Sequence, residues 1–237
     1  IDVAAGIAAA AASQTQLARV SISPWLDFVQ FQEEALTLRE TLTPSTKTAL
    51  RARRLAVYEK QMDILKKALL VPGLGDNEQL WLWIGEFVGK LNHSNSDELT
   101  RFWQENVQHP SGNLRHSSVA WIAFAEHCAE QNFNLQHMRQ TFAEAIHALS
   151  ISDTLDGSRN DALLSVLVAS CDFEKRCGYS EQAVAVLQAV FELYCSEPPV
   201  SQVHGKPIAV RMKFFEAFWN SEYPRIGDSE VAASGWT

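Results

Sequence analysis

The sequence predicts an all-α protein, built as a superhelical array of antiparallel helix pairs. Strand signals are missing: no alternating β-branched stretch is bounded by hairpin dipeptides, and the one Asp-Gly, Asp156-Gly157, sits in a polar loop. Apolar residues instead recur at helical steps of three and four. The plainest case is Leu50, Leu55, Val57, Tyr58, Met62, Leu65 and Leu69, with Arg53, Arg54, Glu59, Lys60 and Lys66 on the other face. Segments also repeat one another, because Trp81 and Trp121 open similar helices at an interval that falls in the range of helical-repeat periods.

Residues 1–20 read as an Ala-rich lead-in helix that caps or docks on the first pair. They lack an initiating Met and a basic n-region, so they read as interior to a longer chain and not as a secretory signal. Residues 21–200 carry the repeats. Trp25-Leu-Asp-Phe-Val-Gln-Phe-Gln, Trp81-Leu-Trp-Ile-Gly-Glu-Phe and Trp121-Ile-Ala-Phe-Ala-Glu-His each open a helix with Trp, then place an aromatic or aliphatic residue three positions on. Each is followed by a second helix with a paler echo: Arg54-Leu-Ala-Val-Tyr-Glu-Lys, Thr100-Arg-Phe-Trp-Gln-Glu and Arg139-Gln-Thr-Phe-Ala-Glu-Ala. Turn residues separate the helices at Thr43 to Ser45, Pro72 to Asn77, Asn92 to Asp97, His109 to Asn113, Ser150 to Asn160 and Ser196 to Pro199. A fourth unit has no Trp; it runs from Ala162 to Phe173, then turns at Gly178, where a left-handed conformation is cheap, and Ser180 caps the next helix. Two amphipathic helices cannot bury both faces alone, so the rings are expected to pack between a helix, its pair and the next unit. Residues 201–237 hold an aromatic helix and turn, expected to pack on the last repeat.

Composition sets the outer limits. The 237 residues are 46% apolar and 20% charged, enough for a real core. A net charge of −8, from 20 Lys and Arg against 28 Asp and Glu, argues against a surface that holds nucleic acid by general phosphate neutralisation. Cys128, Cys171, Cys177 and Cys195 are too few for a disulfide scaffold and fit a reducing compartment. No apolar run approaches the roughly 18 residues that span a bilayer, so no membrane contact is expected.

Pairs of helices with Trp heading the first and an Arg-x-x-Tyr/Phe-Glu-like second helix resemble half-a-tetratricopeptide (HAT) repeats, which are similar to tetratricopeptide repeats and occur in RNA-processing scaffolds. The last third is more specific. Gly178-Tyr-Ser-Glu-Gln-Ala-Val-Ala-Val-Leu-Gln-Ala-Val-Phe-Glu is followed by Phe214-Phe-Glu-Ala-Phe-Trp-Asn-Ser-Glu-Tyr-Pro-Arg-Ile-Gly-Asp and by Gly235-Trp236. This resembles the nuclear-RNAi-defective family, also called the necessary-for-RNA-interference family, with Asp228 standing where that family usually has Glu. The resemblance implies a nuclear, non-enzymatic scaffold in RNA silencing and in RNA processing or surveillance. Its implied partners are the DExH-box RNA helicase that serves the nuclear exosome and silencing or splicing factors, with any RNA contact indirect. In that family the helicase contact is placed mainly upstream of the repeats.

The candidate partner site is the aromatic segment: Phe214, Phe215, Glu216, Phe218, Trp219, Pro224, Arg225, Gly227 and Trp236. Arg and Trp are favoured interface anchors. The bland reading is that the helix packs on the preceding unit and that Tyr223 to Gly227 folds back as a turn. The second candidate is a basic stripe, Lys47, Arg51, Arg54, Lys60 and Lys67, for RNA or an acidic partner. Without interleaved aromatics for base stacking, a solvated helix face is its alternative. Homo-oligomerisation through the terminal aromatic helix is a further reading.

Catalysis and metal binding find no support in the residue pattern. His127, His137 and His147 are ten apart, nearly three helical turns, and cannot share an ion on one helix. No His or acid stands where it would activate Cys171 or Cys177. Pro72-Gly-Leu-Gly-Asp lacks the following Lys-Ser/Thr and the preceding strand of a phosphate loop. The adjacent acids Glu33-Glu34 and Asp97-Glu98 point to different azimuths and read as surface charge. No cofactor is expected.

Overall fold

A computed structural model of the chain describes residues 21–42, 46–92, 96–150, 158–195, 208–221 and 225. The lead-in 1–20, the turn residues Pro224 and Gly227, and Trp236 lie outside them. Among the described residues every regular element is helical: α1 Ser23–Leu42, α2 Lys47–Leu69, α3 Glu78–Leu91, α4 Ser96–Trp103, α5 Ser118–Gln131, α6 Leu135–Ser150, α7 Ser158–Arg176, α8 Ser180–Cys195 and α9 Ile208–Trp219. Helices adjacent in sequence pack together from α1 through α6, consistent with a helical repeat array. The chain divides into two compact units, residues 1–162 and 163–237.

In the first unit, α1 and α2 run antiparallel. Contacts step down both helices in opposite directions, from Arg54 with Glu40, through Lys60 with Gln32, to Gln61 with the carbonyl of Val29. Thr46 opens α2 by accepting from the Ala49 amide at 3.3 Å. This satisfies one of the amides that a helix start leaves orphaned. α3 and α4 also run antiparallel and lie close, because Gly85 has no side chain: a Cβ there would stand 2.7 Å from a ring carbon of Phe102. Leu26, Val29, Met62, Leu65, Leu80 and Phe87 centre the shared core of these first helices, with Trp25, Trp81 and Trp83 packed at its edge.

The interval from Trp81 to Trp121 is a period of burial. Leu74, Leu80, Ile84, Gly85 and Phe87 are buried, and so, one period on, are Leu114, Ala120, Phe124, Ala125 and His127. The second helices keep the same count over two units. Gln61, Met62, Leu65 and Ala68 of α2 are matched two periods later by Thr141, Phe142, Ala145 and Ala148 of α6, all buried. The sequence echo aligns Tyr58 with Phe142, which is one helical turn early. Met62 occupies that core position, and half-buried Tyr58 instead meets the Phe87 ring at 6.1 Å.

The loops before α3 and α5 are built alike. Asn77 and Ser117 cap their helices by accepting from the amides of Leu80 and Ala120 at 3.1 Å each. The hydroxyl of Ser117 also donates to Glu78 at 2.6 Å, tying the start of α5 to the start of α3. The Trp81 indole donates to the carbonyl of Gly75 at 2.6 Å, and the Trp121 indole to that of Arg115 at 2.8 Å. The glycine loop before α3 is therefore a structural anchor, with Gly73 supplying a left-handed turn at φ 90°.

One expectation about the rings fails. Phe28 and Phe31 read as core residues of the first Trp helix, yet they are 48% and 59% exposed. The cause is the rotation of α1: it turns Val29 and its carbonyl toward Gln61 of α2, and residues one or two positions along a helix point roughly 100° or 200° away.

Between α4 and the loop that follows, Gln104–Gln108 forms a π-helical turn, closed by the His109 amide on the Gln104 carbonyl at 2.9 Å. Its cause lies in the returning loop. The Leu114 amide takes the Asn106 carbonyl at 2.9 Å, and Arg115 donates to the carbonyl of Gln108 at 2.8 Å, so these groups find partners outside the helix.

In the second unit, α7 turns into α8 through Gly178, whose φ of 88° is the left-handed conformation the sequence calls for. The buried Cys171 thiol faces the carbonyl of Ala183 at 3.8 Å across this hairpin. α9 then packs on α8 through Phe215 and Leu193.

Candidate functional site

α9 divides the aromatic cluster by face. Phe215 is buried against Leu193, with Phe218, Trp219 and Ala189 packed around it. The Phe215 and Trp219 rings stack at 5.7 Å and 27°, and Phe218 meets Phe215 at 6.1 Å. Phe214 and Glu216 flank Phe215 on opposite sides, roughly 160° apart around α9, and both are exposed, as is Met212 on the Glu216 side. The candidates on α9 therefore separate into an inward anchor, Phe215, and two exposed flanks.

Arg225 folds back onto this helix. Its guanidinium lies 4.0 Å from the centre of the Trp219 ring, and Nη2 donates to the Trp219 carbonyl at 2.9 Å. A cation at that carbonyl satisfies an orphan acceptor and meets the negative end of the helix dipole. Arg211 makes a similar contact with the carbonyl of Leu193 near the end of α8, at 3.4 Å. Sequence reading does not single out Arg211; the signal available is a cation one turn into α9, but its acceptor is set by tertiary packing.

The basic stripe is partly engaged by α1. Arg54 forms a two-point ion pair with Glu40, Nε to Oε1 at 2.9 Å and Nη2 to Oε2 at 2.8 Å. The Arg54 guanidinium holds the Glu40 carboxyl below the usual carboxylate range. Lys60 donates to Gln32 at 2.8 Å. Lys47, Arg51 and Lys67 are exposed, but Lys60 and Lys67 lie roughly 200° around α2 from Lys47. The stripe is thus two patches, and one cation of each is engaged by α1.

The remaining titratable groups are structural in setting. His127 is buried, shares a 2.8 Å hydrogen bond between Nε2 and the Thr100 hydroxyl, and has its pKa lowered by burial. Burial pushes the Cys128 thiol up, and burial with the nearby acids Asp172 and Glu174 does the same to Cys171, so both favour the unreactive protonated form. Among the described residues no three His, Cys, Asp or Glu side chains gather as a metal site, and no helix is long and apolar enough to cross a membrane.

A second surface escapes the sequence reading. Val184, Leu187, Phe191 and Tyr194 of α8 are each about half exposed or more, at i, i+3, i+7 and i+10. The periodicity is legible, but which side of α8 meets α7 and α9 is not.

Comparison with known proteins gives the chain its relatives. It is 24% identical over 230 residues to the human protein named nuclear exosome regulator NRDE2, an alignment covering 90% of this chain and 18% of that protein. It is 22% identical to the Dictyostelium discoideum protein of the same name, over 92% of this chain and 16% of that protein. It is 26% identical to the Schizosaccharomyces pombe protein NRDE2 homolog, over 90% of this chain and 22% of that one. The chain thus spans about a fifth of the length of these relatives. No solved structure matches it. The family model described as NRDE-2, necessary for RNA interference, matches residues 9–237, and the chain belongs to that family.

Proposed function

We propose that the chain is a helical-repeat segment of a nuclear regulator of RNA processing that works with the exosome machinery, and that it acts without catalysis, as a scaffold for protein partners. The carrying observation is the family match over residues 9–237, with relatives named as nuclear exosome regulators. The geometry supports a scaffold: helix pairs repeat one burial pattern and leave wide faces open, while the described acids, histidines and thiols stand apart or are buried in packing. The partner classes are the exosome-associated DExH-box RNA helicase and silencing or splicing factors. The contact we assign is the exposed surface of α9 on either side of Phe215, with Phe214 on one flank and Met212 and Glu216 on the other, while Phe215, Phe218, Trp219 and Arg225 hold the helix in place.

The test is capture from nuclear extract with the chain 1–237, with and without ribonuclease. The comparison is a Met212→Glu/Phe214→Glu variant, which changes one exposed residue on each flank and keeps Phe215, Phe218 and Trp219 themselves. Recovery of the exosome-associated helicase or of silencing factors despite ribonuclease, and its loss in the variant, supports the reading. Capture abolished by ribonuclease transfers the site to RNA and to the exposed Lys47 and Arg51, and affinity for RNA then falls steeply with added salt. A doubled mass in solution that Trp219→Ala halves supports the oligomerisation reading instead.

A further inference from the structure

We propose that two copies of this chain pair through one face of the α7–α8 hairpin, formed by Leu164 and Val168 of α7 and by Val184, Leu187, Phe191 and Tyr194 of α8. All six side chains are open, from 48% exposed at Leu187 to 65% at Tyr194. The Cys171 thiol against the Ala183 carbonyl marks where the two helices meet. Around α7, Leu164 and Val168 stand roughly 20° and 60° beyond Cys171. Around α8, Tyr194, Leu187, Phe191 and Val184 stand roughly 20° to 100° beyond Ala183. In antiparallel helices the same sense of rotation carries both sets to one side, so the two stripes form a single face, with Val168 level with Leu187 and Leu164 with Phe191.

Comparison between repeats marks this face as one made to be covered. α6 and α8 start alike, the Met138 amide donating to the Asn134 carbonyl at 2.9 Å and the Ala183 amide to the Tyr179 carbonyl at 3.2 Å. Counted from those starts, Leu187 and Tyr194 match Phe142 and Leu149, which are 6% and 2% exposed. With the interval from α2 to α6 added, Val184 and Phe191 match Glu59 and Lys66, both exposed. α8 therefore leaves open two positions that α6 buries, and is apolar at two that α2 gives to charges.

Area and charge select a second copy. The open parts of the six side chains come to roughly 600 Å2, the upper end for the largest apolar patch on a monomer, and two such faces together reach the roughly 1,200 Å2 at which specific interfaces begin. The face also complements itself, because exposed Asp161 lies near the start of α7 and exposed Lys175 near its end. A two-fold axis across the hairpin, level with Val168 and Leu187, lays α7 antiparallel on α7 of the other copy and brings each Lys175 to the Asp161 end of its partner.

Sedimentation equilibrium of the chain 1–237 across a range of concentrations tests this, beside Phe191→Glu, Lys175→Glu and the Met212→Glu/Phe214→Glu variant, each checked for folding by circular dichroism. The expected result is a mass of two chains for wild type and for the α9 variant, of one chain for Phe191→Glu, and a dimer several-fold weaker for Lys175→Glu. A single-chain mass at every concentration overturns the proposal. So does a dimer that Phe191→Glu leaves intact, or one that the α9 variant breaks, since that contact belongs to α9. If Phe191→Glu does not fold, hydroxyl-radical labelling of Tyr194 in the wild-type chain carries the test: protection lost on dilution supports pairing through this face, and labelling independent of concentration refutes it.

Discussion

Trp81 and Trp121 stand one repeat apart and make the same hydrogen bond, each indole N–H donating to the carbonyl six positions upstream, at 2.6 Å to Gly75 and 2.8 Å to Arg115. Each bond closes the loop before its helix onto the first turn. The repeat therefore resides as much in the way a loop is fastened as in the helices. Trp121→Phe keeps most of the ring and loses this bond, and the expected cost is about 1–2 kcal/mol in urea unfolding, because a part-buried carbonyl loses its donor. Trp121→Ala also opens a cavity and costs about 3–5 kcal/mol. Equal stability of the Phe variant and wild type would show that water replaces the indole.

Gly112 and Gly178 are predicted to resist Ala for different reasons. At Gly112 a Cβ would lie 2.3 Å from the Asn106 carbonyl oxygen, so the π-helical turn has to move. At Gly178 there is open space, but φ is 88°. Gly112→Ala should cost about 1–3 kcal/mol as overpacking, and Gly178→Ala about 1–2 kcal/mol as backbone strain. Gly178→Asn should recover part of the second loss, since Asn tolerates the left-handed region, whereas Gly112→Asn should be worse than Ala. Thermal unfolding of the four variants separates the two mechanisms.

His127 makes stability depend on pH. Its folded pKa is lowered by burial, so the unfolded chain binds the proton more readily. The stabilising effect of the neutral ring is complete above the unfolded value and is lost as pH falls below about 6.5. The residue at the matching position one period earlier is Phe87. His127→Phe should remove this component and flatten the dependence of the urea midpoint between pH 7 and pH 5, at the cost of the partner of Thr100. An unchanged profile would place the titration elsewhere.

Arg225 and Trp219 give a prediction for the second unit. Arg225→Ala removes a cation held over the indole face and a donor to the end of α9, for an expected loss of about 1–2 kcal/mol. Arg225→Lys should recover little, since an ammonium does not lie flat on the ring while reaching the carbonyl. Differential scanning calorimetry measures both.

The Arg54–Glu40 pair is exposed on the arginine side, and Arg54→Ala should leave the melting midpoint close to wild type. For RNA binding it should also matter less than Lys47→Ala/Arg51→Ala, because its charge is already engaged. Measured salt slopes for the two variants check this.

Much of this protein is local and is legible in the residues. The spacing of Met62, Leu65 and Leu69 needs only the helical period; Gly178 needs only the freedom of a residue without Cβ; the interval from Trp81 to Trp121 needs only counting. What local pattern cannot carry is the choice of face. Phe28 and Phe31 follow a core-like spacing but are open, because α2 engages the side of α1 that holds Val29. Arg54 and Lys60 look like free cations until Glu40 and Gln32 come beside them from another helix. That Arg225 packs on Trp219 is likewise not given by spacing alone. A helix forms from its own hydrogen bonds, whereas the burial of a ring or the pairing of a charge is decided by whichever element comes within a few ångströms of it, and only the tertiary structure settles that.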